Sequence, residues 1–476
     1  MSSAPFTTPT TSPASPPSAA RRASTLRRNI ALCTGEGLVA MPIVFMTQPG
    51  NFIVAMLLSQ TFRLPETLFG VIVSLPYWCN VVQLFVVPFL TRRWSQKAIS
   101  LTISWLHLLV WIALAFALPH IPLDDVGRAG RWLFLFFALS ALFHSVVGVA
   151  WTSWVQEWVP DRLRGKYFGR RNRLLQISTV IFLLGAGEAL TQLNIITPVL
   201  GFQVVIGVSV LLRMFSILAQ YRILATSTSR THEAGLDFRE QIKLILKNRP
   251  LLWLYAFGAA FGFLTNVFGP FFNVFLYDSI GMSIAQVSML TVIFNVTGAM
   301  ALPAWGQFTD RYGNRPSMNV ALVAWMLPGF LWALLTPENS WMIKFVYASG
   351  GIFSAGYLLG SFNLLLKLVP PEAKTAAISI NVAVTSLAAA VAPILGGLIL
   401  DHLWDRGVAR LDGYHAMAIA HHILVLFSGI VLLKVAEPKS SPLSQVVGAM
   451  RSYRQVFALL GMSFMLNYVF TKQRRE

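Results

Sequence analysis

Apolar residues along this 476-residue chain gather into about twelve long runs that short polar stretches separate. A helix that crosses a membrane needs about 20 predominantly apolar residues, so each run is long enough to span. The runs predict an all-α polytopic membrane protein with twelve transmembrane helices. The predicted spans are 29–62, 66–90, 98–119, 131–156, 174–193, 197–221, 250–277, 284–307, 317–336, 341–366, 376–400 and 414–434.

Two of these runs are interrupted by polar and helix-breaking residues. Gln48 to Asn51, read Gln-Pro-Gly-Asn, interrupts the first run, and Gly269-Pro270 interrupts the seventh between Asn266 and Asn273. Irregular backbone at membrane depth is tolerated only where it is buried in protein or faces a water-filled cavity. Two interrupted helices at corresponding positions of two halves indicate a binding site near the middle of the membrane, as in transporters. Two unrelated proline kinks are the alternative interpretation.

The longest hydrophilic stretch between spans divides the chain into six spans and six spans. We expect a disordered cytoplasmic tail over 1–28, because this segment is rich in Ser, Thr, Pro and Ala; an organelle transit peptide is the alternative. A six-helix bundle over 29–222 and a second over 250–434 should flank a linker, 223–249, with a helix on the membrane surface. Its predicted apolar stripe is Phe238, Ile242 and Leu246. The last segment, 435–476, is expected to be a cytoplasmic tail, partly at the membrane interface through 456–470.

An internal repeat supports this division into halves. The link Thr91 to Lys97 aligns with the link Thr309 to Arg315, and Val159-Pro160 aligns with Val369-Pro370. At the latter offset Gly187 falls opposite Gly397. The repeat predicts two pseudo-symmetric six-helix halves.

The net charge of +18 comes from 37 Lys and Arg against 19 Asp and Glu. With the N-terminus inside, 30 of the 37 basic residues fall on the cytoplasmic side, five fall outside and two lie within spans. This asymmetry predicts that both termini are cytoplasmic. The basic residues are scattered among loops and not gathered on one face, so nucleic-acid binding is not expected. Cys33 and Cys79 both lie in apolar runs, which disfavours a disulfide or a metal site.

The segment Gly306 to Arg315 (GQFTDRYGNR) resembles the G-x-x-x-D-R-x-G-R-[RK] signature of the major facilitator superfamily. In that family the signature joins spans two and three, with a weaker copy between spans eight and nine. Here the stronger copy is the second, since the first has Pro88 and Arg92 in place of the glycine and the aspartate. The basic stretch 158–172, with Gly35-Glu36-Gly37, resembles a poorly characterised bacterial branch. The resemblance implies a twelve-helix fold that works by alternating access in a bacterial cytoplasmic membrane.

The signature also implies a latch on the cytoplasmic side. Asp310 is expected to accept hydrogen bonds from backbone N–H groups at the start of a neighbouring helix, where an anion is favoured. Arg311 and Arg315 are expected to pair with carboxylates such as Glu372, and Gly306 opens the motif. Solvated loop charges are the alternative for the arginines.

Ionisable groups inside the spans are costly and are candidates for function. Glu36, Glu188 and His144 are candidate ion-coupling residues. The alternatives are a Glu188 that reaches the interface or accepts a neighbour's hydrogen bond, and a His144 that joins two helices. Glu36 and Arg213 lie at matching depths on the first and sixth spans, so we predict that they form a buried charge pair.

Amides and aromatic side chains on the presumed cavity helices suit a neutral polar solute such as a sugar. We expect some of them to be interhelical contacts instead. With no nucleotide-binding loop, the prediction is a monomeric secondary transporter that couples the movement of a small solute to that of protons, and not an enzyme; no cofactor or metal is implied. An exporter of lipophilic compounds, which the missing drug-antiporter motifs of spans four and five disfavour, and a non-transporting assembly factor are the alternatives. The candidate binding residues are Gln48, Asn51, Tyr77, Asn80, Gln83, Asn266, Asn273, Asn295, Tyr357, Ser361 and Asn363.

Overall fold

Helices form the architecture of the computed structural model, which describes residues 19–224, 237–438 and 440–442. Twelve segments of this part of the chain are long and apolar enough to cross a membrane, which confirms the predicted number of spans. No strand occurs within these ranges. The helices are α1 Ala19–Met46, α2 Phe52–Ala55, α3 Glu66–Thr91, α4 Gln96–Ala117, α5 Val126–Trp158, α6 Asp161–Leu193, α7 Leu200–Tyr221, α8 Phe238–Lys247, α9 Arg249–Phe268, α10 Phe271–Asp278, α11 Ile284–Tyr312, α12 Asn314–Gly329, α13 Met342–Leu368, α14 Lys374–Asp405 and α15 Arg410–Leu433.

The first helix begins at Ala19, ten residues before the predicted boundary at 29. Disorder over the whole of 1–28 is therefore a wrong prediction for residues 19–28. The segment contains Ala, Leu and Arg, which are good helix formers, and the helix of the first span continues backwards through them. Residues 1–18 and 443–476, with the apolar run 456–470, lie outside the described residues.

The two halves meet along two equivalent pairs of helices. The second span, α3, packs along the eleventh, α14, and the eighth span, α11, packs along the fifth, α6. If six is added to the span numbers of the first pair, 2 becomes 8 and 11 becomes 17, which is the fifth span when the count restarts after twelve. This exchange is what a two-fold relation between the halves requires, and it agrees with the repeat in the sequence.

Both interruptions of the apolar runs are real breaks in helices. After α1 ends at Met46, Gly50 has a φ of 65°, a left-handed conformation that glycine adopts without a steric penalty. The chain resumes as α2 and then as a π-helix, Met56–Thr61. The seventh span is divided between α9 and α10 at Gly269-Pro270.

The linker contains a helix, α8, as predicted, but its buried side differs from the predicted stripe. Ile245 is buried against the second half, whereas Leu246 is exposed. The helix therefore packs on protein through a neighbouring position, about 100° around the helix from Leu246.

Because the spans alternate in direction, the start of α1 and the end of α15 lie on one face of the membrane. We call this face the tail face, and the other the opposite face.

Candidate functional site

A cavity of about 450 Å³ lies between the halves, from the middle of the membrane toward the tail face. Its walls come from α3 of the first half and from α9, α13 and α14 of the second. Asp, Glu, Lys, Arg and His are absent from the described residues that line it. The lining residues are Tyr77, Asn80, Leu254, Phe257, Gly258, Phe261, Gly262, Thr265, Asn266, Tyr357, Leu358, Ser361, Phe362, Leu365, Asn381, Thr385, Ser386 and Ala389.

One wall of the cavity is aromatic. Phe261 and Tyr357 stack with their ring centroids 4.4 Å apart, and Phe257 lies 5.9 Å from Phe261 and 6.1 Å from Tyr357. Such flat apolar faces suit a ring-shaped or apolar part of a solute.

Amides and hydroxyls occupy other parts of the wall. The Tyr77 hydroxyl donates to Asn266 Oδ1 at 2.7 Å, and Asn80 Nδ2 donates to Ser386 Oγ at 3.4 Å, so both pairs join the halves. The side chain of Asn381 makes no hydrogen bond to the described part of the chain, which leaves its amide available to a solute. Asn381 is not among the residues predicted from the sequence, which lie on the first, second, seventh, eighth and tenth spans, whereas Asn381 lies on the eleventh.

Five of the predicted binding residues line this cavity, namely Tyr77, Asn80, Asn266, Tyr357 and Ser361. The others lie elsewhere. Asn295 accepts a hydrogen bond from Gln176 Nε2 at 2.6 Å, which joins α11 to α6. Gln83 is buried on α3, and Asn363 is half-buried beside the lining residue Phe362.

The two helix breaks contact each other and do not line the cavity. Asn273 Nδ2 donates to the carbonyl oxygen of Gly50 at 2.9 Å, and the Tyr277 hydroxyl donates to that of Phe52 at 3.1 Å. Gln48 lies beside a space of about 20 Å³, large enough for about one water molecule. The predicted site between the breaks is thus a contact between the halves.

Asn51 has a structural role that predicts the effect of its removal. Its Oδ1 caps α2 by accepting from the N–H groups of Ile53 and Val54, and its Nδ2 donates to the carbonyl oxygens of Met46 and Gln48. We expect Asn51→Ala to lower the free energy of unfolding by about 1 kcal/mol or more, the usual cost of losing a cap. Thermal unfolding in detergent measures this effect. A variant with wild-type stability would show that the cap is dispensable.

The halves are joined closely at the opposite face. Asp401, at the end of α14, accepts hydrogen bonds from the first N–H groups of α3, those of Glu66 at 3.0 Å and Thr67 at 2.8 Å. A Cβ added to Gly397 would overlap the backbone of the same two residues. The start of α3 therefore rests directly on α14.

The second interface repeats this arrangement at the positions that the sequence repeat relates. Thr191 of α6 accepts from the N–H group of Ala285 at 3.2 Å, and a Cβ at Gly187 would lie 2.6 Å from Ser288 Cβ. Thr191 follows Gly187 by four residues, as Asp401 follows Gly397. Each interface thus has one glycine for close approach and one side chain that caps the facing helix.

On the tail face the predicted latch residue is replaced by another carboxylate. Glu437 accepts from the backbone N–H groups of Asn314 and Arg315, at 3.2 and 2.7 Å, and pairs with Lys367 at 2.9 Å. Burial raises the pKa of Glu437, but the hydrogen bonds from Arg315, Lys367 and Asn314 outweigh it, so the pKa lies below its ordinary value. Asp310 is exposed.

The other members of the predicted latch also differ from expectation. Arg315 donates to the carbonyl oxygen of Val435 at 2.9 Å and does not pair with Glu372, which is exposed. Arg311 lies over the ring of Tyr312. Gly306 would meet no atom within 4 Å if it carried a Cβ. The carboxylate at the start of α12 is therefore Glu437, which follows the last span, and not Asp310.

Glu36 is buried at the centre of a network within the first half. It forms an ion pair with Arg171 at 3.4 Å and accepts hydrogen bonds from Trp151, Ser216 and Gln220 at 3.1, 3.0 and 2.9 Å. The predicted direct pair with Arg213 is wrong.

Arg213 belongs to the same network, but it is connected to Glu36 through Ser216. Its guanidinium donates to Ser216 Oγ at 3.1 Å and to Ser104 Oγ at 2.9 Å. Ser216 lies between the two charges because it donates to Glu36 in turn. Equal depth in the membrane therefore did not bring the two side chains into contact.

The other two ion-coupling candidates make local contacts. Glu188 is exposed and accepts from Gln192 Nε2, one turn along α6, at 2.9 Å. His144 Nδ1 lies 3.4 Å from Thr47 Oγ1, and its ring centroid lies 5.6 Å from that of His107. Both geometries correspond to the alternatives of a neighbour's hydrogen bond and a contact between helices.

Comparison with known proteins gives the family. A family model of the Major Facilitator Superfamily matches residues 38–277 and 258–471, which is most of the chain. The chain belongs to the major facilitator superfamily. The superfamily and its fold are those of transporters and not of enzymes, and the resemblance of the Gly306 to Arg315 segment is confirmed at this level.

Relatives and solved structures agree with the superfamily assignment. The chain is 26% identical over 179 residues to the "probable multidrug resistance protein EmrY" of Escherichia coli, covering 38% of this chain and 33% of that protein. It is 24% identical over 204 residues to the "multi-drug resistance efflux pump PmrA" of Streptococcus pneumoniae, covering 42% and 50%. The matches thus span a third to a half of the length of these relatives.

The fold is shared with solved transporters of low identity. A nucleoside transporter, NupG, is 13% identical and has a TM-score of 0.63 over 86% of this chain and 99% of that one. A D-xylose-proton symporter is 13% identical and has a TM-score of 0.65 over 88% and 98%. At this identity the likeness concerns the fold.

Proposed function

We propose that the protein is a secondary transporter of a small neutral polar solute, driven by a proton gradient, in a bacterial cytoplasmic membrane. The observation that carries the proposal is the cavity between the halves, which has amides, hydroxyls and stacked aromatic rings but no charged side chain among its described lining. A charged solute in this low-dielectric space would lack a counter-charge. Its volume of about 450 Å³ lies within the range of small-molecule sites.

The positions at which the halves meet support a mechanism of alternating access. The cavity lies toward the tail face, while Asp401, Gly397 and the two helix breaks join the halves toward the opposite face. This arrangement corresponds to a state open to the tail face. The excess of basic residues on that face supports a cytoplasmic location for it and for both termini. The proposed working unit is the monomer, since the cavity lies within one chain.

Export of lipophilic compounds is the second candidate, and two observations favour it. The relatives EmrY and PmrA are named as multidrug proteins, and one cavity wall is aromatic. The two candidates differ in the part of the cavity that they use, because a polar solute needs the amides whereas a lipophilic one needs the rings.

Asn381 allows a test that separates these candidates. Purified protein is screened for ligand-dependent thermal stabilisation with neutral sugars, nucleosides and lipophilic dyes. For a polar ligand we expect Asn381→Ala to weaken the apparent affinity about tenfold, the effect of losing about one hydrogen bond. Val384→Ala, at an exposed position one turn further along α14, is the matched control and should leave the affinity unchanged. Stabilisation by dyes alone, unaffected by Asn381→Ala, would support the second candidate.

A further inference from the structure

The polar side chains that line the cavity toward the tail face divide into two groups by their hydrogen bonds. One group already has partners within the protein, namely Tyr77, Asn80, Thr265, Asn266, Thr385 and Ser386. Among the described lining residues, the polar side chains without a hydrogen bond are Tyr357, Ser361 and Asn381. These three lie on α13 and α14, so the second half supplies the free polar side chains to a solute.

The free amide and the aromatic wall lie beside the same stretch of α9. Asn381 approaches α9 at Gly258, where an added Cβ would lie 3.9 Å from Asn381 Oδ1. Tyr357 approaches the same helix three residues later, where its ring stacks on that of Phe261. Three residues correspond to about 4.5 Å along a helix. The amide and the rings are therefore separated along α9 by less than one helical turn, a separation that a single planar ring can bridge.

Close packing of α14 on α9 brings Asn381 to this position. A Cβ added to Gly258 would lie 2.8 Å from Thr385 Cγ2, and one added to Gly262 would lie 3.4 Å from the carbonyl oxygen of Thr385. Larger residues at these two positions would push α14 away from α9. The two glycines therefore set the distance between the amide on α14 and the rings beside α9.

Phe261 is the ring of the aromatic wall that a solute reaches most easily. It is half-buried, whereas Tyr357 is 4% exposed. Tyr357 and Phe257 lie against Phe261, with centroids 4.4 and 5.9 Å away, and hold its ring in place. A fixed aromatic ring with an uncovered part stacks well on a flat π-system, as aromatic side chains do on nucleic-acid bases.

The small number of free polar groups favours a planar heterocycle over a sugar. A sugar carries hydroxyls in several directions, and each one that stays unpaired when the cavity closes costs free energy. A heterocycle instead presents flat faces to an aromatic ring and gathers its polar groups at its edge. The amide of Asn381 offers a donor and an acceptor side by side, which is how asparagine reads the edge of a base.

We propose that the solute is a neutral planar heterocycle with a lactam edge, that is, a ring N–H next to a ring carbonyl, as in pyrimidine and purine bases. Its flat face lies against Phe261. Asn381 donates to the carbonyl oxygen and accepts from the N–H, while Tyr357 and Ser361 are free to bond to other polar groups of the solute. This inference rests on the proposed transport of a small neutral polar solute and names the substrate class of the same cavity.

The test compares ligands that differ only at the lactam edge. Thermal stabilisation of the full-length protein in detergent measures their apparent affinities. Uracil is paired with 1,3-dimethyluracil, and hypoxanthine with 1-methylhypoxanthine; each methylated form keeps the flat ring but lacks the lactam N–H. Xylose and glucose are the sugar probes. We expect uracil, hypoxanthine or both to bind about tenfold more tightly than the methylated form, the effect of about one hydrogen bond. The sugars should not stabilise the protein.

Two variants separate the edge of the ligand from its face. Asn381→Ala should weaken the binding of the lactam ligand about tenfold, but that of its methylated form much less, since methylation already prevents the paired contact. Phe261→Leu should weaken both members of a pair about equally, because both lose the stacked ring. Val384→Ala, at an exposed position of α14, is the control and should change neither. If a variant does not fold, as judged by gel filtration, the comparison of each ligand pair on the unchanged protein still decides.

The outcomes distinguish this inference from the function on which it rests. Stabilisation by xylose or glucose but by neither heterocycle would overturn the substrate class and leave transport of a neutral polar solute in place. Equal affinities within each ligand pair, or an equal loss for both members in Asn381→Ala, would overturn the reading of a lactam edge. Stabilisation by lipophilic dyes alone would overturn the proposed function as well. Absence of stabilisation by every probe would also overturn the heterocycle assignment.

Discussion

Gly187→Leu is expected to open the opposite face of the protein without unfolding it. The side chain would be forced into Ser288 and Ala285 of α11, but only while the halves are in contact at this face. Overpacking costs about 1 to 3 kcal/mol, which shifts the balance between the states by about five- to 150-fold. The same result is expected for Gly397→Leu at the equivalent interface, where the obstacle is the backbone of Glu66 and Thr67.

Ser59 lines a cavity at the opposite face. The rate at which a maleimide labels Ser59→Cys at a fixed pH of 8 measures this shift, and thermal unfolding measures the stability of each variant. Gly185→Leu is the matched control, since it lies two residues away on the same helix and a Cβ there meets no atom within 4 Å. The control should be labelled at the wild-type rate. Unchanged labelling in both Gly187→Leu and Gly397→Leu would mean that these contacts do not separate during transport.

Glu36→Gln is expected to reduce the free energy of unfolding by about 3 to 5 kcal/mol, the cost of breaking a buried ion pair from one side. Glu36 is 2% exposed and the Arg171 side chain 11%, so water cannot replace the lost partner of either. The guanidinium of Arg171 also lies over the ring of Trp151 and donates to the carbonyl oxygen of Cys33. Removing the charge of Glu36 therefore strands a cation that the packing holds in place.

Double-mutant cycles identify which arginine is the partner. The coupling of Glu36→Gln to Arg171→Gln should exceed its coupling to Arg213→Gln, since Ser216 lies between Glu36 and Arg213. Arg173→Gln, an exposed position two residues along α6, should change the stability little and show no coupling. A coupling energy larger for Arg213 than for Arg171 would support the direct pair of Glu36 and Arg213 that the sequence predicted.

Depth in the membrane alone does not identify the partner of a buried carboxylate such as Glu36. Counting residues along a helix gives the height of a side chain, and on that basis Glu36 and Arg213 matched. The direction in which a side chain points around the helix axis depends on how the helices are rotated against one another. Arg213 points toward Ser104 on α4, and Arg171, which the sequence places in a basic stretch, reaches Glu36 from α6.

The candidate site could be predicted in part for the same reason. Tyr77, Asn80, Asn266 and Tyr357 were found because polar groups inside apolar runs are conspicuous, and they do line the cavity. Equally conspicuous amides, such as Asn51 and Asn273, instead satisfy backbone groups at the helix breaks. The residue type does not distinguish these roles, since an asparagine can hydrogen-bond either to the backbone of a broken helix or to a solute.

By itself, the sequence determined the twelve spans, the two breaks and the division into related halves, because each depends on hydropathy or on helix-breaking residues close together in the chain. Only the tertiary structure decided that the breaks meet each other, that Glu437 caps α12 in place of Asp310, and that Asp401 caps α3. These contacts join residues more than 100 positions apart. They depend on how the helices pack within and between the halves, which no local pattern records.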